Sequence, residues 1–255
     1  MMNLAPAILL AAVGSGLSAQ WLNYPSVGTP RLPDGKPDLS APAPRAADGR
    51  PDLSGLWRMS PGDFRKYHGN LGADVKDVPF LPASEALYKE RLANGGRDDP
   101  EARCLPDGVP RVHGSAHPTK IVQLPNILLF LHENPGVYRQ IFLDGRELPK
   151  DPNPTWMGYS VGHWEGDALV VAATGFNGQA WLDTNGHPTS DALRLAERFR
   201  RVDFGHLEIQ ITVDDPKTYS RPWTATGRHD LIADSDLIEY VCLENESSLS
   251  HILSR

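Results

Sequence analysis

The residues that could do chemistry in this chain are polar side chains on faces where strand periodicity predicts burial. In the run 193–202, alternation places Glu197 on the same face as Leu195 and Phe199, because successive side chains of a strand point to opposite sides of the sheet. A buried carboxylate is costly unless it is paired, and burial raises its pKa. Arg201, two steps along the same row, could supply the counter-charge.

An imidazole occupies a comparable position in a later predicted strand. In the run 222–231, His229 shares a face with Trp223 and Leu231. If Glu197 and His229 meet across a small barrel, they can act as an acid–base pair in a dry cavity. The competing interpretation is a structural ion pair or hydrogen bond that fills the barrel, since structural networks also perturb pKa values.

The longest break between these predicted strands is the loop 175–191, which has 17 residues. Loops of this length are usually functional or disordered, and large aromatic residues argue against disorder. We expect a lid over one barrel mouth that brings Asp183 or His187 to the site as further catalytic groups. A loop packed on the outer wall is the alternative. The expected ligand-binding side chains, most of them aromatic, are Trp181, Phe176, Tyr159, Trp156, Trp223 and Arg201.

Two patterns resemble known motifs, but their context argues against them. Residues 158–162 match the nucleophile elbow of serine hydrolases, which requires a following helix, whereas here a turn and a strand follow. His113 and His117 have a spacing that suits a metal only on a helix, and Gly114 and Pro118 disfavour one. We therefore predict no metal site and no cofactor.

The elements that must position these residues are short strands with close turns, and 46 residues are Gly or Pro. Short turns make neighbouring strands antiparallel, and closure protects the sheet edges. The sequence thus predicts a mainly β fold: an antiparallel meander closing into a barrel, with one short helix at about 83–94. The predicted strands are 55–58, 119–124, 127–133, 137–143, 158–164, 168–174, 193–202, 206–213, 222–231 and 236–242.

The N-terminal part predicts export. Residues 1–19 have the apolar run and small-residue end of a signal peptide, although no Lys or Arg precedes the run. Residues 20–53 form an extended Pro/Gly-rich leader in which 34–40 recurs as 48–54. The remaining 54–255 are expected to be a single barrel domain. We predict a periplasmic or secreted protein with no stable membrane anchor after signal cleavage.

The net charge limits the possible classes of binding partner, and the cysteine content limits the possible disulfides. The net charge of −7 argues against nucleic acid, which leaves a small-molecule ligand or substrate. Cys104 and Cys242 could form one disulfide in an oxidising compartment or remain two buried thiols.

Several runs of the chain are distinctive when taken together. They are 98–100, 104–106, 108–111, 156–158, Gly162-His163-Trp164-Glu165-Gly166-Asp167, Gly175-Phe176-Asn177, Trp181-Leu182-Asp183, 190–193 and Glu197-Arg198-Phe199-Arg200-Arg201. As a set, these runs resemble a family of exported, largely uncharacterised proteins of soil bacteria. The resemblance implies a shared barrel but no particular activity. Tyr159 stands where such proteins often have His, and Ala172 where an acidic residue is frequent, so chemistry at those positions could be altered here. Gly55-Leu56-Trp57 also resembles the opening of lipocalin-type barrels.

Three functions are compatible with these observations. The first is a lipocalin-like barrel that binds a small apolar or amphipathic molecule in its cavity. The second is a cofactor-independent isomerase, lyase, hydratase or hydrolase that uses Glu197 and His229. The third is an envelope interaction module with a filled barrel.

Overall fold

The chain closes nine strands into one barrel. The computed structural model describes residues 24–67, 70–134, 136–242 and 244, and the expected signal peptide at 1–19 lies outside them. The strands are β1 (Gly55–Met59), β2 (Thr119–Leu124), β3 (Ile127–His132), β4 (Tyr138–Phe142), β5 (Tyr159–Glu165), β6 (Ala168–Thr174), β7 (Arg194–Arg201), β8 (His206–Asp214) and β9 (Trp223–Leu231). Each strand pairs with the next, and β1 closes the barrel against β9. The predicted mainly β barrel is confirmed.

Helices are short and lie between strands rather than within them. They are α1 (Pro61–Tyr67) and α2 (Pro82–Ala93), with 3-10 turns at Leu71–Asp74, Pro100–Arg103 and Arg111–Gly114. Helix α2 is the one that the sequence predicts, with Pro82 in its first turn, where a missing N–H costs nothing.

Two features differ from a simple meander. Strands β4 and β5 pair in parallel, at Ile141 with Ser160 and Phe142 with Val161, because the long connection 143–158 returns the chain to the end from which β4 started. The predicted strand at 236–242 is wrong, as no strand is assigned there. Since β1 already occupies the free edge of β9, no edge remains for a tenth strand.

The interior follows the predicted alternation. In β7, Leu195, Glu197, Phe199 and Arg201 are buried, while the residues between them are exposed. The core that surrounds this row contains Trp57, Leu128, Phe130, Ile141, Leu169, Val171, Leu207, Ile209 and Val213.

The duplicated leader forms two matching turns. At the start of the first copy the Leu32 N–H donates to Lys36 O, and at the start of the second the Ala46 N–H donates to Arg50 O, both at 2.9 Å. An arginine just before each copy also contacts an aspartate of the main domain. Arg31 lies 2.6 Å from Asp234 and Arg45 lies 2.6 Å from Asp167. The leader is therefore a second layer attached to the barrel.

The duplication supplies a matched stability test. Leu53 of the second copy is 0% exposed in the core, whereas the equivalent Leu39 is half-buried against Gly205. We expect Leu53→Ala to cost at least about 2 kcal/mol of unfolding free energy, because a cavity is left in the core. Leu39→Ala is the control and should cost clearly less in denaturant titrations. Equal losses would contradict the view that only the second copy enters the core.

A disulfide joins Cys104 to Cys242, with a Cα–Cα distance of 5.7 Å and a sequence separation of 138. Of the two states that the sequence allows, the structure has the bridged one. The bridge fastens the segment after β9 to the loop that precedes Arg111–Gly114, so the closing strand and that 3-10 turn are held together.

Candidate functional site

A buried ion pair occupies the middle of the barrel. Glu197 accepts a hydrogen bond from Arg139 Nη1 at 3.0 Å, and Arg139 Nη2 donates to its second carboxylate oxygen. Their side chains are 0% and 1% exposed. Arg139 Nε also donates to Ser160 Oγ at 3.0 Å. The sequence predicts Arg201 as the counter-charge of Glu197, but the structure has Arg139 of β4 in this role, and Arg139 reaches Glu197 across the closed barrel.

His113 is the third member of this cluster. Its Nε2 lies 3.0 Å from Glu197 Oε1, so both carboxylate oxygens have close partners. Burial alone would raise the pKa of Glu197, but the Arg139 charge and the bonds from His113 and Arg139 outweigh it and lower the pKa to about 2. Glu197 is therefore a permanent anion at neutral pH and a poor general base.

His229 lies in the same interior but does not contact Glu197 directly. Its Nε2 donates to the His113 backbone carbonyl at 2.8 Å. Burial lowers the pKa of His229 to about 4. His113 thus stands between the two predicted catalytic groups, and the expected acid–base pair is an indirect one.

A further buried imidazole, His132, lies beside His113, with ring centroids 6.2 Å apart. Its Nδ1 lies 2.8 Å from Thr119 Oγ1, and burial lowers its pKa well below the usual value. Sequence alternation could have identified two of the missed residues, since Arg139 shares a face with Ile141 and His132 with Phe130. No such signal exists for His113, which lies in a 3-10 turn.

Aromatic rings pack closely around the ion pair. The His113 ring packs against Phe130 and Phe199 at 6.1 and 5.9 Å between centroids. Five cavities between the described residues have volumes from about 20 to 470 Å³, and neither Glu197 nor His229 lines them. The contacts among Glu197, Arg139 and His113 are those of a buried structural ion-pair network.

The loop 175–191 is packed through buried polar contacts. Asp183 accepts the backbone N–H of Leu71 at 2.7 Å and that of Asn185 at 3.1 Å. His187 Nδ1 lies 2.7 Å from Asp183 Oδ2, and the His187 ring stacks on Phe80 with centroids 5.3 Å apart. Asp183 and His187 are 2% and 1% exposed, so these two side chains anchor the loop. Neither of them lines any of the five cavities.

The predicted aromatic ligand contacts are mostly packing contacts. Trp181 is buried, with the Arg91 guanidinium 4.4 Å from its ring centroid. Phe176 and Trp223 are buried in the core. Trp156 is half-buried, and Tyr159 donates from its hydroxyl to Asn153 O at 3.0 Å. None of these five lines the five cavities.

Arg201 differs from the other expected ligand contacts, because it lines a groove of about 470 Å³ between the leader and the barrel. The leader contributes Ser26–Thr29 to one wall, and the segment after β9 contributes Ile232 and Ala233 to the other. The remaining lining residues are Pro44, Asp52, Ser54, Gly55, Leu56, Lys120, Phe204, Leu231, Ser235 and Asp236.

The charge of Arg201 has carbonyl partners and no ion pair within 4 Å among the described residues. Its guanidinium donates to the carbonyls of Asp52 at 2.6 Å and Ser54 at 3.1 Å, and to those of Asp203 and Phe204. The residue is 5% exposed. Burial lowers the pKa of Arg201 to about 10, and the charges of Asp52 and Asp203 only partly oppose this shift.

The described residues offer neither a metal site nor a membrane-spanning helix. No three His, Cys, Asp or Glu side chains are grouped so that they could hold a metal ion. No helix there is long and apolar enough to span a membrane.

Comparisons with known proteins give one weak structural neighbour. No family model and no curated protein matches the sequence. A secretary abundant heat soluble (SAHS) protein from Ramazzottius varieornatus, solved by crystallography, is 11% identical over 70% of this chain and 94% of that chain, with a TM-score of 0.31. The fold assignment given above rests on the strand pairing of this chain itself.

Proposed function

We propose that this protein is an exported β-barrel that binds a small amphipathic anion in the groove beside Arg201. The observation that carries this proposal is a buried guanidinium on the groove wall without an acidic side chain paired to it. A buried cation gains most from an anion, because the surrounding low dielectric strengthens their attraction. Export rests on the sequence of residues 1–19.

The groove has the size and lining of a small-molecule site. Its volume of about 470 Å³ lies within the range of ligand pockets. Leu56, Phe204 and Leu231 offer apolar surface for a hydrocarbon body. Of the other lining charges, Lys120 and Asp236 form an ion pair, with Lys120 Nζ 2.6 Å from Asp236 Oδ1. Asp52 accepts the Ser54 N–H at 2.8 Å, and its charge partly opposes the lowering of the Arg201 pKa by burial.

Arg201 keeps hydrogen-bonding capacity for such a ligand. An arginine side chain has five N–H donors, and four hydrogen bonds to carbonyls are formed here. One donor is thus left for a carboxylate or a similar anion. The Arg201 guanidinium carbon lies 4.9 Å from the ring centroid of Trp57 and 5.2 Å from that of Phe204. These contacts hold the guanidinium in place, which reduces the entropic cost of ordering it when a ligand binds.

The filled interior favours a second candidate, an envelope interaction module. The sealed Glu197–Arg139 pair gives the barrel a polar core that needs no ligand. The enzyme hypothesis gains no support from the five cavities described above, because neither Glu197 nor His229 lines any of them. A protein that folds stably and binds none of the small molecules tested below would favour the module.

Ligand binding in the groove can be tested with a variant that carries a larger, negatively charged side chain in the groove wall. We expect decanoate to bind the wild-type protein in a one-to-one complex by native mass spectrometry and calorimetry, and 1-decanol to bind more weakly. Ala233→Glu places a carboxylate in the groove wall and should weaken decanoate binding at least about tenfold through like-charge repulsion and lost volume. Ala172→Glu, on the outer face of β6, is the matched control. Equal affinity of the two variants for decanoate would rule out this groove as the site.

A further inference from the structure

A row of outward-facing residues crosses β1, β2 and β3 beside a cavity of about 240 Å³. The register of β1 with β2 and of β2 with β3 brings Arg58, Pro118 and Glu133 side by side, and the Glu133 N–H donates to Pro118 O at 3.1 Å. Arg58 alternates with the buried Trp57 and Met59, so the row lies on the outer face of the barrel. Opposed residues of antiparallel strands are about 5 Å apart, so Arg58 and Glu133 start about 10 Å from each other. All three residues of the row line the cavity, together with Leu56, Ala116, His117, Ile232, Ser235 and Asp236.

Arg58 brings a positive charge to this cavity. Asp230 of β9 stands opposite Arg58 in the sheet, but its carboxylate accepts a hydrogen bond from the Ser60 hydroxyl. Among the described residues, the Arg58 guanidinium forms no ion pair within 4 Å and no hydrogen bond. Its donors are therefore available to an anionic group, and a carboxylate can accept two of them at once.

Glu133 brings a carboxylate that is buried but weakly hydrogen-bonded. Its side chain is 8% exposed. The partners of its two oxygens, His117 Nδ1 and the backbone N–H of Ile238, are both 3.4 Å away, whereas ordinary N–H···O hydrogen bonds measure about 2.7–3.2 Å. A buried carboxylate with weak partners is costly. A positively charged donor that enters the cavity would therefore gain from contact with Glu133.

The remaining acidic residue of the wall already has its counter-charge. Asp236 forms an ion pair with Lys120, at 2.6 Å between Oδ1 and Nζ. One guanidinium and one carboxylate are thus left for a ligand. A simple anion would be repelled by Glu133 and a simple cation by Arg58, so a molecule with one charge of each sign fits the wall better than either.

We propose that this cavity binds a small zwitterionic amino acid, with its carboxylate on Arg58 and its ammonium group on Glu133. The two side chains are long, and the distance between their strands leaves room for an α-, β- or γ-amino acid above Pro118. The volume of about 240 Å³ suits a ligand of this size. The cavity is distinct from the groove of the proposed function, because Arg201 does not line the cavity and Arg58 does not line the groove.

Calorimetric titration of the full chain with alanine, β-alanine and 4-aminobutyrate tests the proposal. At least one of these three amino acids should bind with one-to-one stoichiometry and a Kd of about 1 mM or tighter. Propanoate lacks the ammonium group and ethylamine lacks the carboxylate. Each of them should bind at least about tenfold more weakly than the tightest amino acid, because one buried charge of the wall is then left without a partner.

Two variants each remove one charge from the cavity wall. Arg58→Gln and Glu133→Gln should each weaken amino acid binding at least about tenfold. Glu133→Gln should also bring the affinities for the amino acid and for propanoate closer together, since the repulsion of the anion is removed. Arg194→Gln and Glu147→Gln are the matched controls, because both residues are exposed and line none of the five cavities, and they should leave binding unchanged.

Arg58→Gln keeps the test decisive if Glu133→Gln folds poorly, since Arg58 is exposed. The proposal is overturned if none of the three amino acids binds the wild type, if propanoate or ethylamine binds as tightly as they do, or if Arg58→Gln binds them as the wild type does. Decanoate binding in the Arg201 groove is measured separately, so the failure of one site leaves the other untouched.

Discussion

Replacing Arg139 with methionine will cost the barrel about 3–5 kcal/mol of unfolding free energy. The variant leaves Glu197 ionised in a site where its side chain is 0% exposed, with only His113 as a close partner. A buried charge without its counter-charge is penalised far more than a buried pair. Methionine is shorter than arginine but flexible and able to fill irregular gaps, so most of the loss should come from the charge and less from the packing.

A double variant separates the charge from the packing. Arg139→Met combined with Glu197→Leu removes both charges, and denaturant titration should show that a large part of the lost stability returns, since buried ion pairs are often replaceable by apolar groups. Arg198→Met, on the strand that carries Glu197, is the matched control, because the exposed pair of Arg198 with Glu165 should contribute less than about 1 kcal/mol. A loss in Arg139→Met that the second substitution does not reduce would show that Glu197 was not the cause.

Acid will selectively remove the stability that depends on a neutral His229. In the folded state its pKa is about 4, against a usual value of 6.5, so the unfolded chain binds the proton more readily between these two values. The contribution of His229 is complete above pH 6.5 and is lost as the pH falls towards 4. The lowering of the pKa corresponds to about 3 kcal/mol for this fully buried group.

Other groups also titrate in this pH range, so the unfolding free energy of a His229 variant must be compared with that of the wild type at each pH. Glu197 loses its contribution between its usual value of 4.5 and its folded pKa of about 2, in the same direction as His229 but at lower pH. Asp107 acts in the opposite direction, because its folded pKa of about 7 lies above its usual 3.8 and protonation then favours the folded state. His132 acts in the same direction as His229, because burial also lowers its pKa well below the usual value. The wild-type curve alone therefore mixes the contributions of all four groups.

We expect His229→Gln to flatten the pH dependence of the unfolding free energy between pH 6.5 and 4. Glutamine can retain an N–H donor for the His113 carbonyl but takes up no proton in this range. The exposed His163 gives the control, and His163→Gln should leave the curve unchanged. If the curves of His229→Gln and the wild type run parallel, His229 is not held neutral by burial.

The location of the polar interior was accessible from the sequence, whereas its pairing was not. Alternation in the runs 193–202 and 222–231 places Glu197 and His229 inside, and both are buried. The same reasoning assigned Glu197 to Arg201, which instead donates to carbonyls of the leader and of the turn after β7. Alternation specifies the face of a strand but carries no information about which side chain stands across the barrel.

Nine of the ten strands predicted from the sequence form the barrel, and the inward row of β7 and the longer helix are also as predicted, because these features depend on periodicity and turn residues that are local in the chain. The tertiary structure was needed to show that Arg139 neutralises Glu197, that His113 separates Glu197 from His229, and that Arg201 faces a groove formed with the leader. These contacts depend on strand register and barrel closure, which bring together residues far apart in sequence.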